Sequence, residues 1–131
     1  MISAARWLYL GLVWLYVVGI VVQVLLAGAA LFGTGTSFEP HRNLGYILHL
    51  VPILLLIVGA LSRVRRRVLL WNLALAVVQF IQPLLPMLQG NAPWVAALHP
   101  VLALAVFWLG LTLANEAFRL VRPTTIAPES P

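Results

Sequence analysis

Three histidines are the residues in this chain best suited to chemistry: His41, His49 and His99. An imidazole can bind a metal ion through a ring nitrogen or take up a proton near neutral pH. Glu39 and Arg42 flank the first histidine and add one charge of each sign. The chain contains no cysteine, which excludes disulfides, thiolate metal sites and cysteine nucleophiles.

The composition places most of the chain in lipid. Of 131 residues, 63% are hydrophobic and 8% are charged, whereas about a quarter of the residues in soluble domains are charged. Such a chain is not a soluble enzyme and is not a partner for nucleic acid. No phosphate-binding glycine loop or serine–histidine–acid arrangement is present, so the sequence leaves open whether the protein is an enzyme at all.

Long uncharged stretches predict an all-α integral membrane protein. A spanning helix needs about 20 apolar residues, and short polar breaks predict an up-down-up-down bundle of antiparallel neighbours. We expect one transmembrane domain over residues 1–122, followed by a flexible, proline-rich tail at 123–131. The four predicted helices cover residues 7–31, 42–62, 68–88 and 94–118.

The arginines predict how the bundle is oriented. Seven of the eight fall on one side of the four predicted helices, and Arg42 is the exception. The positive-inside rule then places both termini in the cytoplasm of a multi-pass protein in a bacterial inner membrane. Four arginines of one loop are expected to contact anionic lipid: Arg63, Arg65, Arg66 and Arg67.

Polar side chains converge in the outer half of the predicted bundle. Counting turns from the outer boundary, every helix places at least one polar residue in the same layer, and intramembrane polar groups usually point into the bundle. The residues of this layer are Gln23, His49, Gln79, Gln82 and His99. Glu39, His41 and Arg42 lie above it.

One interpretation of the histidines in this layer is structural. A proline removes a helical N–H and frees a carbonyl that an imidazole can use. Pro52 frees the carbonyl of Leu48, which suits His49. Pro100 frees the carbonyl of Ala96 for His99 if the helix has begun there.

The other interpretation is a cofactor site. His49 and His99 lie on diagonal helices, and two facing imidazoles can ligate the iron of one heme b. Gly45 and Ala103 would leave room for the flat macrocycle. A mononuclear metal site without heme is weaker, because the chain offers few further ligands.

The residues around His41 and Gln82 also have two interpretations. Glu39 and Arg42 form either a weak surface ion pair or a clamp in which Arg42 holds a heme propionate or another carboxylate. His41 can relay protons to a bound quinone. Gln82 and Gln79 share a helix face, and Gln82 can either donate to a quinone carbonyl or satisfy carbonyls freed at a proline bend.

The strings HRNLGY at 41–46, QPLLP at 82–86 and ALHP at 97–100 resemble an uncharacterised family of small four-helix bacterial membrane proteins. That resemblance covers nearly the whole chain and implies a fold and a membrane location, with no assigned activity. His49 and His99 are also placed like the axial histidines of four-helix b-type cytochromes. The string EPHR at 39–42 is similar to an acidic–histidine–arginine segment of heme A synthases, and no catalytic role follows from it.

Three functions remain open at this point. In the first, the protein binds heme b or a quinone for electron transfer, with His49 and His99 as heme ligands. Alternatively, it is a cofactor-free structural or accessory subunit of a larger membrane complex or homo-oligomer. The third function is a small transporter protomer, which the clustering of polar residues at one depth favours least.

Overall fold

The computed structural model describes residues 2–122, and every regular element in that range is helical. The predicted flexible tail at 123–131 lies outside the described residues. Four stretches are long and apolar enough to cross a membrane: Ile2–Leu31, Glu39–Leu61, Arg66–Met87 and Pro93–Val121. The elements are α1 (Ile2–Leu31), α2 (Glu39–Leu61), α3 (Arg66–Ile81), α4 (Leu84–Met87), α5 (Pro93–Ala96) and α6 (Leu98–Val121).

Three helix ends extend three residues or more beyond their predicted bounds. The first helix begins at Ile2 rather than residue 7, because the long side chain of Arg6 can reach polar surroundings without ending the helix. The second begins at Glu39 rather than residue 42, since Pro40 in the first turn has a backbone angle suited to a helix start. The last helix continues to Val121, three residues beyond its predicted end.

The second pair of long helices is interrupted where the sequence predicts continuity. The predicted helix 68–88 ends at Ile81 and resumes as the single turn α4, because Pro83 and Pro86 supply no N–H to the helical ladder. The predicted helix 94–118 is divided at Ala97, between α5 and α6. Both interruptions lie at the same end of the bundle, next to Gln82 and His99.

The bundle has a square arrangement in which α1 and α3 each contact both α2 and α6. Core-facing positions alternate at spacings of three and four residues, as in coiled coils. On α1 this row is Tyr9, Val13, Tyr16, Ile20 and Gln23, and on α3 with its C-cap it is Val68, Asn72, Leu75, Gln79 and Gln82. On α6, His99 lies seven residues before Val106, which is itself seven before Leu113.

Two buried hydrogen bonds cross the core between α1 and α3. The amide of Asn72 donates to the Tyr9 hydroxyl at 2.9 Å, and the Tyr16 hydroxyl donates to Oε1 of Gln79 at 2.9 Å. The Tyr9 side chain is 0% exposed and that of Tyr16 is 1% exposed. The centre of the bundle is therefore filled by two tyrosine rings and tied together by polar contacts.

The loop between α2 and α3 contains a residue in an unfavourable backbone conformation. Arg63 has φ of 53°, in the left-handed region. The N–H of Arg63 donates to the Ala60 carbonyl at 3.0 Å, and that of Val64 donates to the Gly59 carbonyl at 3.2 Å. This is the pattern of a Schellman helix end, at which glycine is the usual residue.

Candidate functional site at the histidine end

Four polar side chains from the four long segments meet near the loop between α1 and α2. We call this group the histidine-end cluster: Gln23, His41, Gln82 and His99. The opposite end of the bundle, which carries Arg6, Arg63 to Arg67, Arg119 and Arg122, is the arginine end. Gln82 is 6% exposed, and the other three members are partly buried.

Gln23 and His41 are joined by a reciprocal pair of hydrogen bonds. The side-chain amide of Gln23 donates to the backbone carbonyl of His41 at 2.7 Å, and Nδ1 of His41 donates to the backbone carbonyl of Gln23 at 3.0 Å. A carbonyl only accepts, so this contact places the proton of a neutral His41 on Nδ1 and leaves Nε2 with a free lone pair.

The rings of His41 and His99 are in edge-to-face contact, with centroids 6.2 Å apart. Phe38 also packs edge to face on His41, with ring centroids 6.2 Å apart. His99 therefore contacts His41, which the sequence places above the polar layer.

His99 is held by a carbonyl that a proline leaves without a helical partner. Its Nδ1 lies 3.0 Å from the Gln82 backbone oxygen. In a regular helix that oxygen would accept from the N–H of residue 86, but residue 86 is a proline. The prediction that Ala96 supplies this carbonyl is therefore wrong, because the freed group that reaches His99 comes from the neighbouring segment.

The Gln82 side chain joins α3 to α6. In the orientation that satisfies both ends of its amide, the oxygen accepts from the Ala103 N–H at 2.8 Å and the nitrogen donates to the His99 carbonyl at 3.1 Å. These two α6 groups are four residues apart and pair with each other in a regular helix. The same amide nitrogen lies 2.8 Å from His99 Nδ1.

His49 lies outside the cluster. It follows His41 by eight residues, which is about 12 Å along a helix, and its ring packs on Phe80 with centroids 6.0 Å apart. Its Nδ1 donates to the Gly45 carbonyl at 2.6 Å, so the predicted use of the Leu48 carbonyl is wrong. Its Nε2 is buried without a hydrogen-bond partner in the described residues. His49 and His99 are predicted to share one layer, but His99 lies beside His41, whereas His49 lies about two turns deeper in the bundle.

The small residues near these histidines allow close helix packing. A Cβ at Gly45 would lie 2.8 Å from the Gln23 amide nitrogen, and one at Gly19 would lie 2.7 Å from Leu48. A Cβ at Gly110 would lie 3.1 Å from Val17. These three glycines therefore serve contact between helices, and at Gly45 that contact uses space that the sequence assigns to a macrocycle.

The remaining predicted site residues take no part in the contacts that join the cluster. Glu39 and Arg42 are exposed and form no ion pair, since the ion pair found within residues 2–122 joins Glu116 to Arg119 at 3.3 Å. Gln79 is engaged with Tyr16 in the core. Across the described residues, no three histidine, aspartate or glutamate side chains gather closely enough to hold a metal ion.

Comparison with known proteins identifies a family. Residues 23–90 match DUF6220, a family of unknown function, over just over half of the chain. The chain belongs to this family. The predicted membership of an uncharacterised family is confirmed, and the predicted likeness to b-type cytochromes receives no support. The DUF6220 match includes Gln23, His41 and Gln82 but ends before His99. No curated protein and no solved structure matches the chain significantly.

Proposed function

We propose that this DUF6220 protein binds the head group of a lipid-soluble quinol or quinone at the histidine-end cluster. The observation that carries the proposal is the contact between His41 and His99, whose Nδ1 atoms both face a backbone carbonyl. Backbone bonds at Nδ1 fix each ring and leave Nε2 for a ligand. Ionisable groups at membrane depth are candidates for function by default.

The two histidines differ in the ligand groups that they can recognise. Nδ1 of His41 faces an acceptor, so Nε2 of the neutral ring accepts a proton donor such as a quinol hydroxyl. Nδ1 of His99 lies 3.0 Å from an acceptor and 2.8 Å from a donor, both supplied by Gln82. His99 can therefore present Nε2 as an acceptor to a quinol or as an N–H donor to a quinone carbonyl.

The surroundings of the cluster suit a planar head with an apolar tail. Phe38, His41 and His99 stack edge to face, which offers ring surfaces to an aromatic head. Large hydrophobic side chains are exposed nearby, including Phe32, Tyr46 and Trp94, at 83%, 66% and 87%. A prenyl tail would lie along such a surface in lipid.

We further propose that the bundle is up-down-up-down with the arginine end in the cytoplasm of a bacterial inner membrane. Tyr9 pairs with Asn72, and Tyr16, seven residues later, pairs with Gln79, which is also seven residues later. The partners thus follow in the same order along α1 and α3, which supports parallel helices. Arg63, Arg65, Arg66 and Arg67 are exposed, as contact with anionic lipid requires. The histidine-end cluster would then face the outside.

Binding of a short-chain quinol to the detergent-purified protein tests the proposed site. His41→Ala should weaken binding at least about tenfold, because it removes a hydrogen bond and a stacking surface. Asn43→Ala is the matched control, since Asn43 is exposed on the same helix turn. Equal affinity of the two variants, or no binding by the unaltered protein, would contradict the proposal.

A second candidate, one bis-histidine heme b, is favoured by His49. Metal-bound histidines usually donate their other N–H to a carbonyl, and His49 donates from Nδ1 to Gly45 while Nε2 is buried and unpaired. His99, the other proposed axial ligand, would have to leave its contact with His41. Absorbance spectra of protein expressed with heme supplied test this candidate. A Soret band that His49→Ala abolishes would support it, and its absence would exclude it.

A further inference from the structure

The arginine end contains a cleft between the first turns of α1 and the last turn of α6. Its volume is about 430 Å³. The residues that line it are Ile2, Ser3, Arg6, Trp7, Leu120, Val121 and Arg122. Two guanidinium groups therefore border the cleft, and its lining includes no acidic residue.

Both arginines are held by contacts that leave hydrogen-bond donors available. The Nε of Arg6 donates to the Ser62 carbonyl at 3.4 Å, which occupies one of its five donors. The guanidinium of Arg122 lies over the Phe118 ring, 4.4 Å from its centroid. Stacking of this kind leaves the edge of the guanidinium free to bind an anion.

The surroundings of the cleft match the boundary between lipid and water. Trp7 lines the cleft and is 59% exposed, and tryptophan is enriched at membrane interfaces. Ser3 adds a hydroxyl, and the first turn of α1 contains no acidic residue. Arginine is suited to bidentate binding of phosphate oxygens.

We propose that this cleft binds a phosphate group through Arg6 and Arg122, as in the head group of an anionic phospholipid. Basic pockets between membrane helices at the cytoplasmic side bind such head groups. The site is distinct from the exposed arginine loop at 63–67 and does not depend on the histidine-end cluster. The Ser3 hydroxyl supplies a further hydrogen bond to the phosphate.

Lipid binding by the full-length protein in nanodiscs tests the site. The probe is spin-labelled phosphatidylglycerol, compared with spin-labelled phosphatidylcholine, and the fraction of immobilised lipid is measured. The unaltered protein should prefer phosphatidylglycerol. Arg6→Ala and Arg122→Ala should each reduce that preference at least about tenfold, because each removes a charge-assisted hydrogen bond to the phosphate.

Arg119→Ala is the matched control, because it removes the same charge at the same end. Arg119 does not line the cleft and is paired with Glu116. The control should retain the preference for phosphatidylglycerol. Equal losses in all three variants would show diffuse attraction and overturn the proposal, as would no preference in the unaltered protein. Arg122 is exposed, so its variant keeps the test decisive if Arg6→Ala does not fold.

Titration with inorganic phosphate identifies the source of the ligand. If the lipid is the ligand, phosphate at millimolar concentration should leave the immobilised fraction unchanged. Displacement of the lipid by phosphate, lost in both cleft variants, would support the same phosphate site with a soluble ligand. Binding of phosphate that persists in both variants would overturn the assignment of Arg6 and Arg122.

Discussion

Gly45 is the residue on which the geometry of the histidine-end cluster depends most directly. Its missing side chain lets the Gln23 amide approach α2, and its carbonyl accepts from His49. One position thus contributes to the reciprocal Gln23–His41 bonds and to the orientation of a deeper histidine. The sequence suggests Gly45 as a small residue beside His49, but its contact with Gln23 follows only from the packing of two helices.

Replacement of Gly45 by alanine tests the close approach of the Gln23 side chain to α2. In Gly45→Ala the new Cβ would lie 2.8 Å from the Gln23 amide nitrogen, so the amide must move away and lose its hydrogen bond to the His41 backbone carbonyl, at a cost of about 1 kcal/mol. We expect a lower free energy of unfolding in detergent for Gly45→Ala than for Gly11→Ala. Gly11→Ala is the control, because no atom lies within 4 Å of its added Cβ. That control should be neutral or more stable by up to about 1 kcal/mol. Equal stability of Gly45→Ala and Gly11→Ala would contradict the close approach.

The buried tyrosines should stabilise the bundle through their amide partners. A double-mutant cycle of Tyr16→Phe and Gln79→Leu should give a coupling energy of about 0.6 kcal/mol, the average for hydrogen bonds between membrane helices. The free energy of unfolding in mixed detergent measures it. Tyr46→Phe is the control and should have no effect, since Tyr46 is 66% exposed. Zero coupling between Tyr16 and Gln79 would show that their bond does not stabilise the fold.

At the scale of elements, the two interrupted helices create the part of the site that differs from a regular bundle. Pro86 frees the Gln82 carbonyl for His99, and the Gln82 amide bridges two ladder groups of α6. Prolines in the sequence predict a bend, and Gln82 is predicted to satisfy freed carbonyls. Which carbonyl it reaches depends on the neighbouring helix, so helix periodicity alone could not identify His99 and Ala103.

The loop between α2 and α3 provides a prediction at the same scale. Arg63→Gly should raise the free energy of unfolding by roughly 1 kcal/mol, because a residue with a Cβ is disfavoured in the left-handed region. Arg67→Gly removes the same charge from within α3 and should lower it by up to about 1 kcal/mol. Thermal unfolding of both variants is the measurement. Loss of stability in Arg63→Gly would show that the arginine side chain itself is needed there.

For the whole molecule, composition was sufficient to predict four apolar helical segments, and the described residues form four helical stretches long and apolar enough to cross a membrane. The partners across the core could not be predicted in the same way. Tyr9 and Tyr16 are seven residues apart, as are Asn72 and Gln79. This spacing indicates a shared helix face, but it does not specify which faces meet.

The asymmetric charge of the whole bundle predicts its orientation in the membrane. Because the chain lacks cysteine, single substitutions can be labelled without background. In cells, an impermeant thiol reagent should label Ser37→Cys at the histidine end. It should label Arg65→Cys at the arginine end only after permeabilisation, as the positive-inside rule requires. The opposite pattern would place the histidine-end cluster in the cytoplasm.

Nitrogen NMR of ¹⁵N-histidine-labelled protein tests the central claim most directly, since it observes all three imidazoles at once. Without ligand, His41 and His49 should carry their protons on Nδ1. A short-chain quinol should shift the Nε2 signals of His41 and His99 and leave those of His49 unchanged. If the quinol shifts neither His41 nor His99, the cluster is not the binding site and the central claim is wrong.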